Sequence, residues 1–120
     1  MTKKEIAQSF LKMAGMGKVK EAYLQFVASE FIHHNQYFKG DRESLMADMQ
    51  EAHDTSPNKS ITIKNTYEDG NTVITHSHVV KDEMEIAVVH IFRIEDGKIA
   101  ELWDLGQVID KDSPNENGLF

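Results

Sequence analysis

The chain has 120 residues, of which 40% are hydrophobic, and this size and composition favour one domain over residues 1–120. Twenty acidic residues against thirteen basic ones give a formal net charge of −7, which argues against nucleic acid as a partner. There is no cysteine, so disulfides and thiolate chemistry are excluded. No apolar run resembles a signal peptide or a membrane span, so we expect no membrane association and a cytoplasmic location.

Three helices are predicted in the first half of the chain. Thr2 and Glu5 have the spacing of a capping box, and apolar residues then recur at helical spacing until Gly15. A second helix is predicted from about Lys18 to Ser29. The third follows Asp41, a favourable N-cap residue, and its apolar side chains are expected to point inward: Leu45, Met46, Met49 and Ala52.

After Pro57 the hydrophobic period changes from 3.6 to 2, which indicates strands. Four strands are predicted, over residues 59–67, 71–80, 84–94 and 98–109, and short turns join them into an antiparallel meander. The polar tail 110–120 is predicted to be irregular. Helices followed by strands are typical of an α+β domain with the helices on one face of the sheet.

The other face of this sheet also carries apolar side chains that must be shielded from water. Ile86, Val88 and Phe92 of the third predicted strand point one way, while Val89 and Ile91 point the other way. A sheet with one wet face alternates apolar with polar residues, and this strand does not. Because the helices can cover one face only, we expect a homodimer that forms through the outer face.

His90 and Asp104 are the pair of residues that best suits chemistry. If residues 95–97 form a three-residue hairpin loop, Val88 faces Asp104, and His90 lies diagonally beside it on the same face. Apolar neighbours such as Leu102 would partly remove water from this carboxyl group. A carboxyl group in such a place can exchange a proton with a carbon beside a carbonyl. The same pair could instead form a purely structural hydrogen bond, and the spacing does not decide between them.

Several segments resemble a known family. The stretch from Phe92 to Asp104, with its Asp-Gly-Lys-Ile turn and its Trp-Asp pair, resembles the SnoaL-like polyketide cyclases. The segment 31–35, Phe-Ile-His-His-Asn, is similar to the motif after that family's second helix. The ending 117–120 resembles the tail of a bacterial subgroup described as aldol-condensation enzymes. This resemblance covers nearly the whole chain and implies the cone of the ketosteroid-isomerase-like superfamily, in which three helices and a strongly curved four-stranded sheet surround an internal pocket.

The resemblance also implies catalytic roles. The family uses an aspartate on the last long strand as general acid and base, with a histidine one strand earlier and an asparagine after the second helix. By motif these are Asp104, His90 and Asn35. We expect a small apolar or carbonyl-containing substrate, no cofactor, and an aldol-type cyclisation or an isomerisation in which Asn35 or His34 stabilises an enolate. The other expected pocket residues are His34, His76, His78, Tyr23, Phe26, Phe38, Met49 and Leu102.

Two alternatives stay open at this point. The same pocket could bind a small ligand without any chemistry. Alternatively, Gly70, His76, His78 and Glu83 match most of the spacing of the first cupin motif, and two histidines one residue apart on a strand can both ligate a metal. The cupin-like hypothesis lacks a second motif, so the leading hypothesis includes no metal.

Overall fold

The computed structural model describes all 120 residues and contains three helices and five strands. In chain order these are α1 (Lys3–Gly15), α2 (Val19–Phe26), β1 (Val27–His34), α3 (Arg42–Thr55), β2 (Asn58–Asp69), β3 (Thr72–Lys81), β4 (Glu85–Glu95) and β5 (Lys98–Val108). The predicted α+β class is confirmed, and residues 110–120 contain no helix or strand. None of the helices is long and apolar enough to cross a membrane.

The helices begin at the predicted capping residues. The Thr2 hydroxyl accepts a hydrogen bond from the Glu5 N–H at 3.1 Å, and the Glu5 carboxylate accepts one from the Thr2 N–H at 2.8 Å. This completes the predicted capping box of α1. The Asp41 carboxylate caps α3 by accepting a backbone N–H at 3.1 Å. Within α3, Leu45 is buried as expected, but Ala52 is exposed, contrary to the prediction.

The sheet has five strands, not the predicted four. Their order is β1-β5-β4-β3-β2, in which β1 runs parallel to β5 and all other neighbours are antiparallel. Strand β1 includes residues that were predicted to end the second helix, which instead ends at Phe26. The helical apolar stripe continues into Val27, and it is the pairing with the distant β5 that makes this segment a strand.

Strands β4 and β5 are joined by a two-residue turn, not by the predicted three-residue loop. Glu95 pairs with Lys98, and the residues between them, Asp96 and Gly97, have φ angles of 50° and 73°. Two successive left-handed residues are typical of a type I′ turn, whose twist matches that of the flanking strands.

A bulge in β5 changes the register beyond this turn. Ala100 is the extra residue, because the partners on either side of it are the neighbouring residues Ile94 and Arg93 of β4. As a result, His90 lies directly opposite Asp104, not diagonal to it as predicted.

The core lies between the helices and the face of the sheet that packs against them, which we call the inner face. The ring of Phe10 packs edge-on against Tyr23 and Phe92, with centroids 5.5 and 6.2 Å apart, and Tyr23 packs against Phe31 at 6.0 Å. All four side chains are buried. This aromatic cluster links α1 and α2 to the sheet.

The opposite face, which we call the outer face, is partly covered by the end of the chain. The ring of Phe120 lies 5.1 Å from the ring of His76 and 5.0 Å from that of His78, measured between centroids. The Lys64 ammonium lies 5.5 Å from the same ring. Leu105, farther across this face, remains 58% exposed. The tail therefore covers only part of the outer face.

Candidate active site

Four side chains form a row across the inner face, which we call the polar row: Asn35, Asp104, His90 and Thr75. Thr75 of β3 pairs with His90 of β4, and His90 pairs with Asp104 of β5. Asn35 follows the last residue of β1, beside Asp104. Paired residues on neighbouring strands project from the same face. The sheet therefore brings together all three residues that were predicted to be catalytic.

The Asp104 carboxylate has a neighbour on each side. The Asn35 amide Nδ2 donates a hydrogen bond to Oδ2 at 2.9 Å, and the His90 Nε2 lies 3.5 Å from Oδ1. The Asp104 side chain is 30% exposed, so it is both oriented by its neighbours and reachable from outside. A general base needs both properties.

The surroundings of His90 favour the neutral form of its ring. Burial lowers the pKa of His90 below its ordinary value, and the nearby charge of Asp104 opposes this effect only in part. The His90 ring stacks on Phe92, with centroids 5.9 Å apart. A neutral imidazole can direct the Nε2 proton at Asp104. The other ring nitrogen, Nδ1, is buried without a hydrogen-bond partner.

The Asn35 side chain is held by a loop that His33 anchors. The Nε2 of His33 donates to the Lys39 carbonyl at 2.6 Å, and its Nδ1 accepts from the Asn35 backbone N–H at 3.3 Å. The Asn35 Oδ1 accepts from the Tyr37 N–H at 3.0 Å. The amide oxygen is thereby occupied, and the amide nitrogen faces Asp104.

A cavity of about 700 Å³ lies in front of the polar row. This volume is in the usual range for small-molecule sites. Half of the 18 lining residues are hydrophobic, and the cavity is partly open to solvent. Asp104 is its only carboxylate, and Lys81 is its only lysine or arginine. The arrangement suits an apolar molecule that places one polar group against Asp104.

The sequence matches the family model of the SnoaL-like domain over residues 8–102. The chain belongs to the SnoaL-like domain family. The family that the resemblance suggested is therefore confirmed, and the match includes Asn35 and His90 but ends two residues before Asp104. No curated protein matches the sequence of this SnoaL-like domain.

Solved structures of several named proteins share the fold. A Kribbella flavida protein provisionally named a ketosteroid isomerase has a TM-score of 0.74 at 13% identity, with 98% of this chain and 87% of that chain covered. A Mesorhizobium loti protein provisionally named a SnoaL-like polyketide cyclase has a TM-score of 0.66 at 16% identity, with 88% and 99% covered. An LEH-like epoxide hydrolase from M. tuberculosis has a TM-score of 0.69 at 14% identity, with 88% and 82% covered. At these identities the likeness concerns the fold.

Several side chains expected in the pocket of the SnoaL-like domain lie elsewhere. Tyr23, Phe26 and Leu102 are buried in the core and do not line the cavity. The Tyr23 hydroxyl still approaches the site, since it contacts the Sδ of Met49 at 3.2 Å. Met49 lines the cavity as expected, whereas Phe38 does not.

His34 borders the cavity, but its side chain belongs to the outer face. Its ring stacks on Trp103 with centroids 4.8 Å apart, and its Nε2 lies 2.6 Å from a Glu101 carboxylate oxygen. Of the two adjacent histidines it is His33 that points inward. His34 lines the cavity as expected, but Glu101 already engages its Nε2, so Asn35 is the better placed of the two expected donors for an enolate.

The cupin-like alternative is wrong in its fold and in its geometry. His76 and His78 project from the outer face onto Phe120 and not into the cavity. The Nε2 of His78 lies 2.7 Å from a carboxylate oxygen of Glu85, not of Glu83. No group of three or more histidine, aspartate or glutamate side chains could hold a metal ion.

Sequence reasoning missed Thr75 and Ser77, two fully buried residues of β3. Neither hydroxyl has a hydrogen-bond partner. Both residues point to the inner face of β3, between the apolar inner residues Val73 and Val79. That interruption of the apolar pattern is the signal that could have identified them.

Proposed function

We propose that this SnoaL-like domain is a cofactor-free acid–base enzyme that transfers a proton at a carbon beside a carbonyl group. The observation that carries this proposal is the Asp104 carboxylate, placed between Asn35 Nδ2 at 2.9 Å and His90 Nε2 at 3.5 Å on the wall of a half-apolar cavity. The provisional names of two structural neighbours, a ketosteroid isomerase and a polyketide cyclase, support the same class of chemistry.

In the proposed reaction, Asp104 removes a proton from the carbon beside the carbonyl and leaves an enolate. Asn35 has a second amide proton that its hydrogen bond to Asp104 does not use, and this proton stabilises the enolate oxygen. In an isomerisation, Asp104 returns its proton to another carbon. In an aldol-type cyclisation, the enolate carbon attacks a second carbonyl carbon, and Asp104 gives the proton to the resulting alkoxide.

His90 supports Asp104 in this scheme. Its buried neutral ring can donate to the carboxylate but does not carry a positive charge that would make the carboxylate a weaker base. The apolar lining of the cavity holds the carbon skeleton of the substrate. We expect a small apolar molecule that contains at least one carbonyl group.

The proposal is tested by deuterium exchange at the carbons beside the carbonyl of 2-decanone, followed by NMR in D2O. The wild-type protein should exchange these protons faster than buffer alone. The Asp104→Asn protein should exchange them about 100-fold more slowly than the wild type, which is the usual size of a general-base contribution. Asp82→Asn is the matched control, since Asp82 is exposed and lies outside the cavity. Binding of 2-decanone without any accelerated exchange would favour the alternative, a ligand-binding module.

We also propose that the domain forms a homodimer through the part of the outer face that the tail leaves exposed. Leu105 is 58% exposed there, and Trp103 lies on the same face of β5. Contact with a second copy would remove this apolar surface from water.

A further inference from the structure

Lys81 stands at the end of the cavity that is remote from the polar row. It lies on the same face of β3 as Thr75, six residues farther along the strand, and it lines the cavity. Its Nζ donates to the Ser56 carbonyl at the end of α3 at 2.5 Å. An ammonium group has three protons. The Ser56 carbonyl therefore fixes the position of the Lys81 charge and leaves two protons free for another acceptor.

The Lys81 ammonium has no carboxylate partner. Its neighbour Asp82 pairs with Lys59 at 3.3 Å, and no acidic side chain forms an ion pair with Lys81. The cavity contains no other lysine or arginine, and its only carboxylate, Asp104, belongs to the polar row at the other end. Burial lowers the pKa of Lys81 below its ordinary value. Lys81 also borders a second depression that contains Asp82, Glu83, Glu85 and Asp110, but none of them forms an ion pair with it. Within the cavity of Asp104, a positive charge without an ion-pair partner therefore stands on a wall of which half is apolar.

We propose that Lys81 selects substrates that have a carboxylate at the end opposite to the reacting carbonyl group. This inference rests on the proposed function, because Asp104 defines which end of the substrate reacts. Six residues of a strand span roughly 20 Å. Since the lysine side chain itself covers part of that length, the carbon chain between carboxylate and carbonyl should span on the order of 10–20 Å.

The test compares two ten-carbon probes by calorimetric titration at physiological salt. Both 9-oxodecanoate and 2-decanone carry a methyl ketone at one end, and they differ at the other end in a carboxylate against a methyl group. The wild-type protein should bind 9-oxodecanoate about fivefold more tightly, a reasonable effect for one partly exposed ion pair. Lys81→Met should abolish this preference and leave the affinity for 2-decanone unchanged, whereas Lys81→Arg should retain it.

Lys59→Met is the matched control, because Lys59 is exposed, pairs with Asp82 and does not line the cavity. It should retain the preference for the acid. Equal affinities of the wild-type protein for the two probes, or no binding of 9-oxodecanoate at millimolar concentration, would overturn the inference. A Lys81→Met protein that loses affinity for both probes equally would also overturn it, since that result indicates a structural role.

The two hypotheses fail in different ways. Asp104→Asn should retain the preference for 9-oxodecanoate, because the ion pair with Lys81 does not need the catalytic carboxylate. A protein that prefers the acid but does not accelerate deuterium exchange would contradict the enzyme and leave the carboxylate site standing. A protein that accelerates deuterium exchange but binds 9-oxodecanoate and 2-decanone equally well would support the enzyme and contradict the carboxylate site at Lys81.

Discussion

Two threonines that face each other on neighbouring strands differ in their hydrogen bonding. The Thr66 hydroxyl accepts from the Gln8 side chain at 3.0 Å, whereas the hydroxyl of its partner Thr75 is buried without a partner. A buried hydroxyl that has lost its water and gained nothing costs about 1–3 kcal/mol. Thr75, which lies directly opposite His90 on the neighbouring strand, therefore lowers the stability of the fold.

Replacing Thr75 by valine, which has nearly the same shape, should raise the free energy of unfolding by about 1 kcal/mol, because it removes the unpartnered hydroxyl. The same replacement at Thr66 should lower it by about 1 kcal/mol, because the Gln8 amide loses its acceptor. Urea denaturation of the two variants measures both changes. A destabilised Thr75→Val protein would mean that the hydroxyl has a partner, such as an internal water that bridges to His90 Nδ1.

The neutral state of His90 predicts how stability depends on pH. The unfolded chain binds a proton at the ordinary histidine pKa of 6.5, while the folded protein binds it only at lower pH. Between these two values the unfolded state holds more protons, so the free energy of unfolding falls as the pH falls below 6.5. The His90→Gln protein should show a smaller fall than the wild type over pH 7 to about 5, as measured by thermal unfolding.

The charge of Asp104 can be separated from the effect of burial by NMR titration of the His90 ring. Asp104 raises the pKa of His90 against the larger lowering by burial. Asp104→Asn should therefore lower the pKa of His90 further. A His90 signal that titrates at or above 6.5 in the wild type would contradict the buried neutral ring.

At the scale of elements, the loop between β1 and α3 positions Asn35. His33 at the end of β1 bonds the Lys39 carbonyl at 2.6 Å and the Asn35 N–H at 3.3 Å, and so it holds both ends of the loop. Its ring stacks on Phe31 with centroids 6.3 Å apart. A phenylalanine at this position can retain the stacking but cannot make the two hydrogen bonds.

His33→Phe should therefore leave the fold intact and slow the deuterium exchange of 2-decanone about tenfold, because misplaced catalytic groups lose rate steeply. His76→Phe is the control: its side chain lies on the outer face and does not line the cavity, so exchange should stay near the wild-type rate. Circular dichroism checks the fold of both proteins. Equal losses in the two variants would mean that His33 has no specific positioning role.

The sequence allowed most elements to be predicted, because their signals are local. The capping box at Thr2 and the cap at Asp41 depend on residues within one helical turn, and both predictions are confirmed. Strand β1 was missed because it depends on pairing with β5, and no local pattern reports that contact. The register error has a similar origin: the residues around Gly97 suit a two-residue or a three-residue turn, and the bulge at Ala100 was not visible in the alternation.

The candidate site was predicted in part. Asp104, His90 and Asn35 do come together. The family motif identified them correctly, although the predicted strand register was wrong. Which of His33 and His34 faces the interior could not be predicted, because the direction of a side chain depends on where β1 begins, which the sequence left open. For the same reason, the strand alternation alone could not assign His76 and His78 to the outer face.

At the scale of the whole molecule, the part of the outer face that the tail leaves uncovered is where we propose that a second copy binds. The end of the chain packs on His76 and His78, near one edge of the sheet. Leu105 and Trp103 lie on the neighbouring part, along β5. Leu105 also lines the cavity, so a homodimer that covers this part would lie close to the candidate site.

Leu105→Glu should convert a dimer of this kind into a monomer, because it places a charge in the apolar centre of the contact and weakens association by about 100-fold. Leu24→Glu is the matched control, since Leu24 is 66% exposed on α2, away from the outer face. Sedimentation velocity at micromolar concentration distinguishes the two states. A wild-type protein that sediments as a monomer, or a Leu24→Glu protein that dissociates while Leu105→Glu does not, would contradict association through the outer face.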